Sequence, residues 1–149
     1  MSASTLVIVP CASAKVWDRD PDRGATPAKD AYTSSMFRVN RRYAERFADR
    51  WVILSAKYGF IDPDFMLPGP YNVSFNDHRT NPVAAVVLVG QVEDLARWRA
   101  ARVVGLGGAL YRRAVSEAFA GRDLQLEFPF AGLDMFHLLS ATKAAVEQE

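Results

Sequence analysis

The sequence contains few of the residues that define disulfide-bonded and metal-binding proteins. Of its 149 residues, one is cysteine and two are histidine. A single cysteine excludes an internal disulfide and a zinc site built from several cysteines. The two histidines, His78 and His137, are far apart and show no metal-binding spacing. We therefore expect no metal and no cofactor.

Charge of one sign and long hydrophobic runs are also lacking. The chain has 18 basic and 17 acidic residues, a net charge of +1. Proteins that coat polyanions are usually far more basic, so any contact with nucleic acid should be local or specific, and arbitrary duplex DNA should bind weakly. The apolar run at residues 6–9 is too short for a signal peptide or a membrane span. We expect a cytoplasmic protein with no membrane partner.

What is present is the pattern of one α/β domain over residues 1–149. Half of the residues are hydrophobic, as in a globular protein. Short apolar runs predict strands at residues 5–10, 51–54, 102–106 and 124–128. Between and after them, helices are predicted from a cap at Thr33 or Ser34, at 82–100, at 110–119 and at 133–146; residues 86–89 are an alternative strand. Loops are predicted at 18–29 and 60–81. This alternation predicts a three-layer α/β/α fold with a mainly parallel sheet of about four strands.

Ligands of such sheets bind outside the carboxyl ends of the strands, and polar clusters follow each predicted strand. Cys11, Ser13 and Lys15 come directly after the first. Ser13 and Lys15 are suited to bind an anion, and a nearby ammonium would activate Cys11 as a nucleophile. Alternatively, Cys11 is a small buried hydrophobic residue. We expect Lys15 to lie at the surface, so that its removal would disturb little of the core.

A second cluster follows the second predicted strand. Gly59 permits a sharp turn after Ser55, and Tyr71 lies on a proline-rich segment that would return towards Tyr58. Tyrosine rings beside hydroxyl groups are suited to a planar heterocycle such as a nucleobase. The alternative is that the two tyrosines only pack the long loop onto the domain.

Two weaker clusters complete the candidate site. Gly107 and Gly108 precede a predicted helix, where backbone N–H groups can hold a phosphate, although close packing of strand and helix would also explain them. Asn72, Asp77 and His78 supply amide, carboxylate and imidazole groups for acid–base chemistry or for reading a base edge. The alternative for these three is a polar loop without a role.

At these residues the sequence resembles a known family. The resemblance is found in three segments: Pro10-Cys-x-Ser-x-Lys15, residues 32–37, and Leu54-Ser-x-x-Tyr-Gly59 followed by Pro63 and Pro70-Tyr71. Together they are similar to a bacterial and phage domain family of unknown function, which in turn resembles the YaaA-like peroxide-stress proteins. The first segment also resembles an element of the archaeosine synthase core. The chain is shorter than YaaA-like proteins and has no evident helix–hairpin–helix segment.

The resemblance implies contact with a nucleotide, a nucleobase or nucleic acid. The leading hypothesis is an enzyme that cleaves or exchanges an N-glycosidic bond in a nucleoside, nucleotide or modified nucleic acid. The rival hypothesis is a non-catalytic nucleotide- or nucleic-acid-binding protein of stress response or phage–host conflict. In the first hypothesis Ser13 and Lys15 hold a phosphate or developing anion, Tyr58 and Tyr71 frame the base, and Asp77 or His78 moves protons.

Overall fold

The computed structural model describes residues 4–96, 100–133 and 135–147 of the chain. Its strands are β1 (Thr5–Pro10), β2 (Thr26–Pro27), β3 (Arg50–Ser55), β4 (Gly59–Ile61), β5 (Met66–Leu67), β6 (Arg102–Gly105) and β7 (Gln125–Glu127). Its α-helices are α1 (Ala28–Ala31), α2 (Ser35–Phe47), α3 (Ala85–Ala96), α4 (Ala109–Ala118) and α5 (Met135–Glu147). Short 3₁₀ turns occupy Val16–Asp18 and His78–Thr80.

Five of the strands form one mixed sheet in the order β4-β3-β1-β6-β7. β1 runs parallel to β3 and β6, and β6 runs parallel to β7, whereas β4 pairs antiparallel with β3. The predicted α/β class and mainly parallel sheet are confirmed, with one strand more than expected. The three-layer arrangement stays a prediction.

The central strand β1 is buried along its whole length. Successive side chains of a strand point to opposite faces of a sheet, and those of β1 enter two different hydrophobic clusters. Val7 and Val9 pack in the cluster that contains Phe37 of α2, whereas Leu6 and Ile8 pack in the one that contains Val115 of α4. Both faces of β1 are therefore packed up to its carboxyl end.

The structures of α2 and α3 decide two questions that the sequence left open: which residue caps α2, and whether residues 86–89 are a strand. The hydroxyl oxygen of Ser34 accepts a hydrogen bond from the Phe37 N–H at 3.1 Å, so Ser34 rather than Thr33 caps α2. Residues 86–89 lie inside α3 and are therefore helical, not an extra strand.

The two predicted loops contain short elements that the sequence did not predict. β5 and, except for its first residue, β4 lie within 60–81, and β2 and the first half of α1 lie within 18–29. β2 pairs antiparallel with β5, which joins the two segments. The prolines and glycines correctly indicated irregular backbone in these segments. Pairing between distant short strands, however, leaves no local pattern in the sequence. Such a contact is a tertiary effect, which local propensity does not report.

Gly59 forms the turn between β3 and β4 with a φ of +78°. The Gln91 side chain lies against it: its amide donates to the Tyr58 carbonyl at 2.9 Å and accepts from the Phe60 N–H at 2.8 Å. A Cβ atom on Gly59 would overlap the Gln91 amide. Gly59 is therefore required by the backbone of this turn.

We expect Gly59→Ala to destabilise the protein more than Gly121→Ala. Gly121 also has a positive φ, +79°, but has open space where a Cβ would stand. Both substitutions cost about 1–2 kcal/mol for the left-handed backbone, and Gly59→Ala adds the clash with Gln91. Urea unfolding of both variants measures the difference. Equal losses would contradict the packing role of Gln91.

Candidate functional site

The ends of three parallel strands meet at one edge of the sheet. The Cys11 N–H, just after β1, donates to the Leu54 carbonyl of β3 at 3.0 Å. The Leu106 N–H, just after β6, donates to the Ile8 carbonyl of β1 at 3.0 Å. Residues that follow β1, β3 and β6 are therefore neighbours, as is general at the carboxyl edge of a parallel sheet.

A cavity of about 360 Å³ opens at this edge. Four of the predicted site residues line it: Cys11 and Ser13 after β1, and Gly107 and Gly108 before α4. Ser34, at the start of α2, lines it as well. The volume lies within the range of small-molecule sites, about 300–1,000 Å³. We name this space, which is lined by residues after β1 and by the starts of α2 and α4, the base cavity.

The two glycines differ in their surroundings. Gly107 has a φ of +111°, and a Cβ there would lie 2.9 Å from the Pro10 ring, so close packing explains it. Gly108 has nothing within 4 Å of the position of a Cβ. Gly108 therefore leaves the first turn of α4 open to the base cavity.

The thiol of Cys11 is half-buried in the cavity wall. Its Sγ lies 3.3 Å from the hydroxyl oxygen of Tyr111, and that hydroxyl also lies 3.4 Å from the Cys11 carbonyl oxygen. The Tyr111 ring packs edge-on against Phe75, with 5.4 Å between centroids. The sequence did not indicate Tyr111, because nothing in an amphipathic helix marks one tyrosine as reaching the end of a distant strand.

Asn40 also lies in this cavity, and nothing in the sequence indicated it. It lies in the middle of α2, lines the base cavity and is only 1% exposed. Neither its Nδ2 nor its Oδ1 has a hydrogen-bond partner among the residues that the structure describes. Leaving a buried amide unpaired costs about 1–3 kcal/mol, so this side chain needs an explanation other than stability.

Lys15 is buried, which contradicts the expectation that it lies at the surface. It is 5% exposed, and its ammonium donates to the Ser13 carbonyl at 3.0 Å. The same ammonium lies 4.3 Å from the centre of the Tyr71 ring, within the range of a cation–π contact. Burial lowers the pKa of Lys15, while the charges of Cys11 and Asp18 oppose that shift.

Behind Lys15, three hydroxyl groups form a chain. The Tyr71 hydroxyl lies 2.5 Å from that of Tyr32 and 3.0 Å from that of Ser55. Ser55 has no exposed surface, and its oxygen also accepts the backbone N–H groups of Lys57 and Tyr58. The structure thus places Ser55 behind Tyr71, where it holds Tyr71 in position and forms no wall of the base cavity.

Burial raises the pKa of Tyr32, Tyr71 and Tyr111, and the nearby Cys11 charge raises it further in each case. All three hydroxyl groups therefore stay protonated at neutral pH and remain able to donate hydrogen bonds. The site combines protonated phenols with a lysine whose pKa is lowered.

These tyrosines predict a loss of stability at high pH. A group whose pKa is higher in the folded than in the unfolded state contributes stability below its unfolded pKa, and that contribution is lost as the pH rises. For Tyr32, Tyr71 and Tyr111 the loss begins near pH 10, at up to about 1.4 kcal/mol per pH unit for each. Absorbance of ionised tyrosine and circular dichroism, followed together from pH 9 to 12.5, measure it. Ionisation of all the tyrosines before unfolding would contradict the buried cluster.

Asp77 and His78 are placed away from the base cavity. The Asp77 carboxylate pairs with Arg79, which holds the pKa of Asp77 below its usual value. His78 is exposed and lines a different cavity, beside Phe75 and Val83. The structure thus gives no support to these two residues as the proton carriers of the predicted site, because the loop folds back on itself through Asp77 instead of reaching Cys11.

The remaining predicted residues lie near the cluster without lining the base cavity. Tyr58 packs edge-on against Tyr71, with 5.7 Å between ring centres. Gly59 is the turn glycine described above. Asn72 follows Tyr71 and is exposed. The structure therefore joins Tyr58 to the Lys15–Tyr71 cluster and leaves Asn72 at the surface.

Comparison with known proteins identifies the family. Residues 6–143 match the family of unknown function named DUF6884. The chain belongs to this family. This agrees with the resemblance to a bacterial family of unknown function, whereas the resemblance to YaaA-like proteins stays a prediction.

Two similar proteins are likewise without an assigned function. The chain is 37% identical over 145 residues to the uncharacterised protein YfjM of Bacillus subtilis (strain 168), covering 97% of this chain and 96% of that protein. It is also similar, at 13% identity and a TM-score of 0.48, to the crystal structure of AF0587, a protein of unknown function. That alignment covers 99% of this chain and 46% of the solved one, so the chain spans less than half of it.

Neither a membrane helix nor a metal cluster is found where the structure can be described. No helix within residues 4–96, 100–133 and 135–147 is long and apolar enough to cross a membrane. The same residues contain no group of three or more His, Cys, Asp or Glu side chains that could hold a metal ion.

Proposed function

We propose that the base cavity binds the nucleobase of a nucleoside, nucleotide or modified nucleic acid, and that the protein cleaves or exchanges its N-glycosidic bond. The observation that carries this proposal is the Asn40 amide, which is buried in the cavity wall without a partner. A ligand that pairs with both amide atoms would remove the cost of burying them.

A nucleobase has the chemistry that this amide needs. A carboxamide presents a donor and an acceptor side by side, and the edges of nucleobases present the complementary pair. The cavity also has apolar walls, from Met36 and Phe37 of α2 and Leu138 of α5. Apolar walls with one convergent polar group are typical of sites for planar ligands.

The reaction that we propose at this cavity is hydrolysis of the N-glycosidic bond. Water adds to the anomeric carbon and loses a proton, while the bond from that carbon to the base nitrogen breaks. The electron pair of that bond leaves with the base, which gains a proton. Donation from Asn40 to the base would stabilise the charge that develops on it. Because Asp77 and His78 lie away from this cavity, we assign the proton transfer in this proposal to Lys15. Its ammonium donates to the carbonyl of Ser13, a residue of the cavity wall, at 3.0 Å, and its lowered pKa suits acid–base chemistry.

Binding without turnover is the second candidate, and one observation favours it. Among the described residues that line the base cavity there is no carboxylate and no imidazole. General acid–base catalysis most often uses a histidine or a carboxylate. A site that only binds needs neither group.

The test is a panel of nucleosides, nucleotides and short oligonucleotides incubated with the purified protein. Chromatography measures the released base, and titration calorimetry measures affinity. Release of base that Asn40→Leu abolishes would support the enzyme, and binding without release would support the second candidate. If no member of the panel binds, the proposal is wrong.

A further inference from the structure

A second cavity, of about 590 Å³, lies beside the base cavity and is lined by three arginines, Arg19, Arg23 and Arg38. We name it the arginine cavity. Two carboxylates also line it, Asp18 and Asp20. Asp18 accepts the Lys15 backbone N–H at 2.9 Å, so its charge is partly engaged.

These arginines differ from most others in the chain. Six other arginines of the described residues pair with a carboxylate: Arg41 with Asp30 and Glu45, Arg50 with Asp62, Arg79 with Asp77, Arg102 with Glu127, Arg113 with Glu117 and Arg122 with Glu93. No ion pair joins Arg19, Arg23 or Arg38 to a residue in the described part of the chain. Three unpaired guanidinium groups around one concave surface are suited to an anion, because guanidinium groups match phosphate oxygens in geometry and charge.

The segment that carries two of these arginines is held in place. The buried indole of Trp17 donates to the Arg23 carbonyl at 2.8 Å. The Arg19 N–H donates to the Val16 carbonyl at 3.3 Å, and the Arg23 N–H donates to the Asp20 carbonyl at 3.1 Å. These backbone bonds organise the cavity before any ligand binds, which lowers the entropic cost of binding.

The two cavities share a wall. Ser13 lines the base cavity, and the next residues, Ala14 and Lys15, line the arginine cavity. On the facing segment, Ser34 lines the base cavity, whereas its neighbours Thr33 and Ser35 line the arginine cavity. The Thr33 N–H donates to the Ala14 carbonyl at 3.1 Å and joins the two segments. On both segments, the residue that lines one cavity is therefore adjacent in sequence to a residue that lines the other.

From this geometry we infer that the arginine cavity is a phosphate subsite of the same binding site. The link between this phosphate subsite and a bound base rests on the proposed function. The positive charge of the subsite does not. The phosphate belongs either to a mononucleotide or to the backbone of a nucleic-acid strand, and both sources present the same oxygens to the arginines. In either case the substrate carries phosphate and is not a free nucleoside.

The test compares two triple variants that lose the same charge. Arg19, Arg23 and Arg38 are replaced by glutamine in one, and Arg42, Arg46 and Arg113 in the control. Four probes are titrated at several salt concentrations: inorganic tripolyphosphate, a nucleoside, its 5′-monophosphate and a single-stranded decanucleotide. We expect the first variant to bind the phosphate-bearing probes about tenfold or more weakly, with a smaller salt dependence, and the nucleoside within twofold of wild type.

The outcomes separate this inference from the proposed function. Loss of tripolyphosphate binding only in the first variant supports the subsite even if no nucleoside binds. The monophosphate and the decanucleotide then distinguish the two sources, because a strand-binding site loses more affinity for the decanucleotide. Equal behaviour of the two variants, or no binding of any phosphate probe by wild type, overturns the inference. Nucleoside binding in that case leaves the proposed function standing.

Discussion

Asn40→Leu is expected to stabilise the protein while it removes ligand binding. Leucine has no polar atoms, so the substitution ends the cost of a buried unpaired amide, about 1–3 kcal/mol in free energy of unfolding. The same change removes the carboxamide that α2 offers to a base edge, so affinity should fall about tenfold to a hundredfold. Opposite signs for stability and binding are typical of a residue kept for function.

Urea unfolding and titration calorimetry with the best ligand of the panel measure the two effects. Asn76→Leu is the matched control, because Asn76 is exposed and lies outside the base cavity. It should change neither quantity appreciably. A destabilised Asn40→Leu protein would show that the amide is satisfied in the folded chain, and unchanged affinity would show that no ligand uses it.

Replacement of Lys15 is expected to separate packing from chemistry. Lys15→Ala should destabilise the protein by about 2 kcal/mol, because it empties the space of a buried side chain beside Tyr71. Lys15→Met should keep the folded structure, since it fills a similar volume and removes the burial of a charge. Both variants should lose turnover by about a hundredfold or more if Lys15 transfers the proton.

Lys143→Met serves as the control, because Lys143 is an exposed lysine of α5. Thermal unfolding and chromatographic release of base measure the two effects, and calorimetric affinity replaces turnover if no base is released. Full function in a folded Lys15→Met protein would show that the ammonium has only a structural role. Cys11 would then be the better candidate for chemistry at the end of β1.

The sequence predicted the frame of the fold because that frame depends on local patterns. Apolar runs marked β1 and β3, and Thr33 or Ser34 before an amphipathic segment marked the start of α2. The rule for parallel sheets then placed Cys11, Ser13, Gly107 and Gly108 at a common edge, where they share a cavity. Single-domain organisation and the ligand-binding roles of these residues stay predictions.

What the sequence did not predict depends on contacts between distant residues. Asn40 stands among polar residues of an amphipathic helix and is distinguished only by the space that it faces. The burial of Lys15 results from Tyr32 and Tyr71, which arrive from two other segments. β4 depends on Gln91, 32 residues beyond Gly59, whose amide holds the turn. None of these contacts has a local signature.

The most direct test of base binding at Asn40 is a crystal structure of the protein soaked with a nucleoside 5′-monophosphate chosen from the panel. We predict that the base occupies the cavity between α2 and α4, with Nδ2 and Oδ1 of Asn40 each about 2.7–3.2 Å from a polar atom of its edge. A base bound elsewhere, or an occupied cavity in which the Asn40 amide stays unpaired, would contradict it.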